Sequence, residues 1–276
     1  MNIQLKNKIN ENDLEIRISI GEDCNMSCNY CPADYSKNKF TKINELIDLI
    51  KRSKFNNLVL TFSGGEPLIY LEEIDNILTK IKSIYSKKLD VKILTNGIKL
   101  SEYKVRGRIR LFNLLYNLEL IISIHNTLSS LNKQLAWLTQ SKINYYTRKP
   151  ITTSMNDSIE NSIKNNTNEN IIDDLFPAYG NFEGIKILGN KNQFLMDGKS
   201  STLNDIYEMT NFNFENYICD SGKDLICINT DGKVYPCSMY LHNKFGGVDI
   251  EDFTQKETKC ELKECWCFTS CKRKNK

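Results

Sequence analysis

From residue 16 to residue 190 one pattern recurs: a short β-branched or apolar run, a loop, then apolar residues at helical spacing. Residues 16–22 (IRISIGE), Leu58–Phe62, Val91–Leu94 and Leu118–Ile124 read as strands. Ile43, Leu46, Ile47 and Ile50 mark a first helix, and Leu71, Ile74, Leu78, Ile81 and Tyr85 a second. Tyr103–Tyr116 carries a third, interrupted by Gly107, and Leu131–Gln140 a fourth. A fifth strand is expected near Pro150–Met155, an Asn-rich loop over Asn161–Asn170, and a sixth strand at Gly184–Leu188. Alternation of this kind builds a mostly parallel sheet covered by helices. A closed eight-fold barrel takes about 250 residues, so six units predict an α/β fold of the open (β/α)6 type, a partial TIM barrel. In parallel barrels the chemistry gathers at the C-terminal ends of the strands, which directs attention to the loops after strands 1 to 4.

The first of those loops holds Cys24-Asn-Met-Ser-Cys28-Asn-Tyr-Cys31. Thiolates are soft ligands suited to iron–sulfur clusters, zinc and copper(I). Structural zinc and electron-transfer clusters take four protein ligands, whereas three cysteines on a [4Fe–4S] cube leave one iron open. A zinc site with a fourth ligand elsewhere, or three buried small hydrophobes, are the alternatives that spacing alone leaves standing. The C-x3-C-x2-C spacing, with Tyr30 as an aromatic before the last cysteine, resembles the signature of the radical S-adenosylmethionine (radical SAM) superfamily.

That resemblance implies a (β/α)6 partial barrel whose [4Fe–4S] cluster is held by Cys24, Cys28 and Cys31, with SAM on the open iron. The loop after strand 2, Ser63-Gly-Gly-Glu-Pro67, has glycines that let backbone approach a ligand. It resembles the family's GGEP motif, which implies that Gly64, Gly65 and Glu66 bind the amino group of SAM. Asn96 after strand 3 and Ser123 near the end of strand 4 match places where the family puts polar contacts to the cofactor, and Tyr30 joins them as a SAM contact. Asn96-Gly97 is also an ordinary turn sequence. His125 shares a strand face with Ser123 and is expected to be satisfied by local hydrogen bonds, with contact to SAM or substrate as the alternative. The implied chemistry is one-electron cleavage of SAM to methionine and a 5′-deoxyadenosyl radical, which removes a substrate hydrogen; a reductant such as flavodoxin or ferredoxin would supply the electron.

The other seven of ten cysteines crowd the end of the chain: Cys219, Cys227, Cys237, Cys260, Cys265, Cys267 and Cys271. Leu225–Cys237 reads as a hairpin turning at Asp231-Gly232. Cys219-x12-Gly232-x4-Cys237 resembles the opening of SPASM and twitch extensions, which follow radical SAM barrels and hold auxiliary clusters, while Cys260-x4-Cys265-x-Cys267-x3-Cys271 departs from the SPASM ending. One auxiliary [4Fe–4S] cluster is therefore expected, on Cys219, Cys237 and two of Cys260, Cys265, Cys267 and Cys271, with four-cysteine zinc as the alternative. Cys227 is expected in the core. The domains expected are a radical SAM barrel over 1–190, a linker over 191–215 and a small Cys-rich SPASM/twitch-like domain over 216–276.

Composition narrows the function classes. Two histidines leave little scope for a triad or a multi-histidine metal site, and a net charge of +3 is too mild to indicate nucleic acid as a partner. No run approaches the roughly 18 apolar residues of a membrane span, and the polar N-terminus lacks the apolar core of a signal peptide. A cytoplasmic enzyme is expected, with no leader-recognition domain before the barrel. Its substrate is a peptide or protein or, as the alternative, a small molecule such as a sugar, nucleoside or amino acid. A non-catalytic zinc or iron–sulfur binding protein is the reading from another class.

Overall fold

The computed structural model describes residues 13–28, 31, 37–53, 55–125, 131–151, 174–177, 193–196, 199–202, 218–219, 221–237, 241, 246–261 and 273–274. Five strands alternate with four helices in its first half: β1 (Asp13–Gly21), α1 (Ile43–Arg52), β2 (Asn57–Gly64), α2 (Leu71–Ile84), β3 (Lys88–Thr95), α3 (Tyr103–Leu115), β4 (Asn117–Ser123), α4 (Asn132–Gln140) and β5 (Asn144–Ile151). A sixth strand, β6 (Asp174–Pro177), follows. Strands β1 to β6 pair side by side in chain order, all parallel.

One expected strand shifts and one strand is added. The fifth strand starts at Asn144, not near Pro150, because Tyr145 and Thr147 continue the ladder beside Leu120 and Ile122 of β4. The sixth is Asp174–Pro177, in register with Arg148–Ile151 of β5; the Gly184–Leu188 segment lies outside the described residues. A short apolar run is a weak signal when the partner strand decides which run is used. Helix α3 continues through Gly107, where the space beside the backbone is open.

Strands β1 to β4 each have one face against the helices. In β1 that face is Leu14, Ile16, Ile18 and Ile20; it is continued by Leu58, Leu60 and Phe62 of β2, Val91 and Ile93 of β3, and Leu118, Leu120 and Ile122 of β4. Leu46, Leu49 and Ile50 of α1, Ile74, Ile77, Leu78 and Ile81 of α2, and Ile109 and Phe112 of α3 close over them. Each such side chain contributes about 1.5–3 kcal/mol on burial, and this layer holds the strand ends in place.

The C-terminal region adds β7 (Gln193–Met196) and β8 (Lys199–Thr202), an antiparallel hairpin within the expected linker. It adds β9 (Ile218–Cys219), β10 (Leu225–Ile228), β11 (Lys233–Tyr235), β12 (Val248–Asp249), β13 (Thr258–Lys259) and β14 (Arg273–Lys274). The hairpin around Asp231-Gly232 is present, and β10 pairs parallel to β1 on its outer edge. Among the described residues the main sheet thus has nine strands, ordered β12-β11-β10-β1-β2-β3-β4-β5-β6, and does not close. The Cys-rich region therefore shares a sheet with the barrel, and Arg52 of α1 donates hydrogen bonds to Ile250 O and Glu251 O beyond β12.

Candidate active site

The loops after β1, β2, β3 and β4 meet at one end of the sheet. Tyr70 fixes the root of the cysteine loop: its hydroxyl accepts the Asp23 N–H at 2.9 Å. Glu22 accepts the Thr230 hydroxyl at 3.0 Å and the Asn38 amide at 3.2 Å, and its own N–H donates to Asn38 O. Thr230 belongs to the turn between β10 and β11, so the C-terminal hairpin grips the base of the loop. Within the loop Cys31 N–H donates to Cys28 O at 2.9 Å.

Cys24, Cys28 and Cys31 are all half-buried. Burial raises the Cys24 thiol above its usual range, and the Glu66 carboxylate and the other two thiols push it further the same way, against the Met26 N–H. Three soft donors whose negative charges oppose one another are a donor set that a cationic centre relieves, and they fit a thiolate-bound cluster. Among the described residues no group of three His, Cys, Asp or Glu side chains stands at metal-ligand spacing. Tyr30 lies outside the described residues.

The glycine turn packs directly on this loop. Gly65 N–H donates to Gly21 O at 2.8 Å and Glu66 N–H to Asp23 O at 2.9 Å. A Cβ on Gly64 would lie 2.2 Å from Gly21 O, and one on Gly65 2.1 Å from Asp23 O. Both glycines are required by the backbone of the cysteine loop itself. Glu66 is 1% exposed. Its Oε1 accepts Leu68 N–H at 3.0 Å and the Thr95 hydroxyl at 2.7 Å, and its Oε2 accepts Asn96 N–H at 2.9 Å. Burial raises its pKa and these donors lower it, with burial the larger effect. In this structure Glu66 ties the turn after β2 to the end of β3.

Asn96 and Ser123 are buried at the ends of β3 and β4. Asn96 Nδ2 donates to Asn25 Oδ1 at 2.7 Å, which brings it to the cysteine loop. His125 stands with its Nδ1 3.8 Å from Cys28 Sγ, a contact across 97 residues of sequence.

A family model for the radical SAM superfamily matches residues 18–169, more than half of the chain. The chain belongs to the radical SAM superfamily. It is an enzyme of that class, with a parallel-rich α/β fold. A probable GTP 3′,8-cyclase of Methanococcus aeolicus is 32% identical over 104 residues, 36% of this chain and 34% of that protein. The match thus spans about a third of that relative's length. Among solved structures, anSMEcpe with bound AdoMet and the Kp18Cys peptide has a TM-score of 0.60 at 13% identity, covering 87% of this chain and 78% of that one. Streptococcus suis SuiB bound to S-adenosylmethionine has a TM-score of 0.54 at 16% identity, covering 87% and 64%. These likenesses establish the shared fold. Among the described residues no helix is long and apolar enough to cross a membrane.

The cysteine and glycine motifs do not mark a further set of residues, on the face of the sheet opposite the helices. Arg17 Nε pairs with Glu15 Oε1 at 2.7 Å, Thr61 donates to the same oxygen at 3.1 Å, and Lys92 Nζ lies 3.3 Å from Glu119 Oε2. Burial opposes ionisation of Glu15, but Arg17 and Lys92 together bring its pKa below the usual range. The signal was present in the sequence. Parallel strands buried on both faces read as near-continuous apolar runs, whereas β1 and β3 place a charge at alternate positions and β4 carries Glu119.

The C-terminal cysteines are partly brought together. Cys219 on β9 pairs with Thr258, two residues before Cys260. A Cβ on Gly222 would lie 2.5 Å from Thr258 Oγ1 and 3.5 Å from Pro236 Cβ, next to Cys237. Cys237 and Cys260 are buried. Cys227 is buried as expected, but on the strand face opposite Ile226 and Ile228, which join the helix-side core. Cys265, Cys267 and Cys271 lie outside the described residues.

Proposed function

We propose that this enzyme cleaves SAM reductively and abstracts hydrogen from a peptide or protein substrate lying over the charged face of the sheet. The observation that carries the reading is the convergence of the Cys24–Cys31 loop, the Gly64-Gly65-Glu66 turn, Asn96 and Ser123 at adjacent strand ends. Cys24, Cys28 and Cys31 would hold a [4Fe–4S] cluster, and the chemistry such a cluster supplies with bound SAM is one-electron cleavage to methionine and a 5′-deoxyadenosyl radical. The chain's own work is to orient and to exclude water. Gly64 and Gly65 let the second loop close on the first, Glu66 fixes that loop to β3, and Asn96 and Ser123 present polar groups beside it, with Tyr30 as a further SAM contact. Arg17, Lys92 and Glu119 give the substrate face a charged lining suited to a polar substrate.

The peptide reading is supported by the likeness to peptide-bound anSMEcpe, which extends over 87% of the chain. A small-molecule substrate is the second reading, favoured by the GTP 3′,8-cyclase relatives, whose match is confined to about a third of the chain. A twitch-like region from residue 216 holds one auxiliary [4Fe–4S] cluster in this proposal. Cys219, Cys237 and Cys260 are its first ligands and one of Cys265, Cys267 and Cys271 the fourth; zinc on the same set is the competing assignment. A cytoplasmic reductant such as flavodoxin or ferredoxin would supply the electron.

The test is anaerobic reconstitution with iron and sulfide, then addition of dithionite and SAM. Formation of 5′-deoxyadenosine is expected, and its absence from fully loaded protein overturns the proposal. Supplying peptides encoded beside the gene, or GTP, in deuterated form separates the substrate classes by which one transfers deuterium to 5′-deoxyadenosine.

A further inference from the structure

We infer that His125 is a positioning residue for the SAM-site cluster, donating an N–H from its imidazole to the sulfur of Cys28. The inference rests on the reading that the Cys24–Cys31 loop is the cluster loop. It deepens that reading by naming what holds the middle ligand and sets its electron density.

The barrel touches the cysteine loop through two successive strand ends. Asn96, just after β3, donates to Asn25 at 2.7 Å. His125, just after β4, meets Cys28 at 3.8 Å, across 97 residues of sequence. The contacts fall three residues apart in the loop, one beside the first cysteine and one on the second. Asn25 in turn lies against Cys24, its Oδ1 3.9 Å from Cys24 Sγ. Each strand end therefore meets the loop at or beside one of its first two cysteines. The two contacts differ in chemistry, because an imidazole N–H aimed at a thiolate sulfur withdraws electron density from it.

Hydrogen bonds to cluster sulfurs are among the factors that set reduction potential, and the partners of metal ligands orient them. A donor at Cys28 stabilises the reduced, more negative state and holds the thiolate in place. The donation requires the proton on Nδ1. Asparagine can place its amide N–H near the position of Nδ1, whereas phenylalanine keeps the ring and loses the donor. The two replacements separate donation from packing.

The wild-type protein, His125→Phe and His125→Asn are reconstituted with iron and sulfide and compared in two measurements. One is the midpoint potential of the cluster whose electron paramagnetic resonance signal changes on adding SAM. The other is the rate at which a ferrous chelator strips its iron. His125→Phe is expected to load the cluster with a lower midpoint and to lose iron about tenfold faster, and His125→Asn to return both toward wild type. If His125→Phe matches wild type in both, or His125→Asn behaves as His125→Phe, the inference is overturned. If His125→Phe loads no cluster, His125→Ala takes its place against His125→Asn, with the same outcomes. A wild-type protein with no SAM-responsive cluster ends the underlying reading, a result distinct from either.

Discussion

Replacing Gly64 by alanine tests whether the glycine turn exists for the cysteine loop. Gly64 has φ of +120°, a conformation that an L side chain rarely adopts, and its Cβ would stand 2.2 Å from Gly21 O. That oxygen is already in use, accepting Gly65 N–H at 2.8 Å. The ends of β1 and β2 must part by about 1 Å to reach ordinary van der Waals separation. Backbone strain of about 1–3 kcal/mol and overpacking of about 1–3 kcal/mol add to a loss of about 2–5 kcal/mol, since one movement relieves part of each. For a chain of this size that corresponds to a fall in Tm of about 10 °C. Gly107→Ala is the matched control. Nothing lies within 4 Å of its Cβ position, which sits inside α3, so alanine is expected to stabilise by about 0.5–1 kcal/mol. Thermal unfolding followed by circular dichroism under anaerobic conditions measures both. Equal melting temperatures for the two variants would refute the reasoning, because the same chemical change would then be indifferent to its surroundings.

Glu66→Ala leaves the Leu68, Thr95 and Asn96 donors without their acceptor and is expected to cost about 3–5 kcal/mol in urea unfolding. Because burial raises the folded-state pKa of Glu66 above its ordinary 4.5, its contribution to stability is full below that value and is lost as pH rises through the raised one. Glu66→Gln should flatten that part of the profile, and an unchanged slope would contradict it. Thr230→Val removes the hydroxyl donated to Glu22 and should cost about 1 kcal/mol, with Thr230→Ser close to wild type in urea midpoint. Replacing Cys24, Cys28 and Cys31 by alanine should remove one cluster's iron. Cys237→Ser with Cys260→Ser should remove a second complement while leaving the SAM-responsive signal, as read by metal analysis and electron paramagnetic resonance.

Much of the barrel was legible because its cause is local. Ile16, Ile18 and Ile20 alternate with Arg17 and Ser19, and Leu46 and Ile50 recur at helical spacing; each pattern states which face is buried before any partner is known. The strand at Asp174–Pro177 was not legible, because it is chosen by pairing with Arg148–Ile151, a long-range event. Cys227 shows the same limit. Its burial was foreseeable, while the face it occupies depends on the parallel register with Arg17.

The sequence by itself determined the repeat, the three-thiol loop and the glycine turn, because spacing along the chain suffices to specify local geometry and ligand type. Only the tertiary structure decided what those motifs touch. It spends the carboxylate of Glu66 on Thr95, Leu68 and Asn96, sets Gly64 and Gly65 against the backbone of residues 21–23, and brings Thr230 to Glu22 and His125 to Cys28. Those contacts join residues far apart in sequence, and they arise because parallel strands deliver successive loops to one end of a sheet whose other end is fixed by apolar packing.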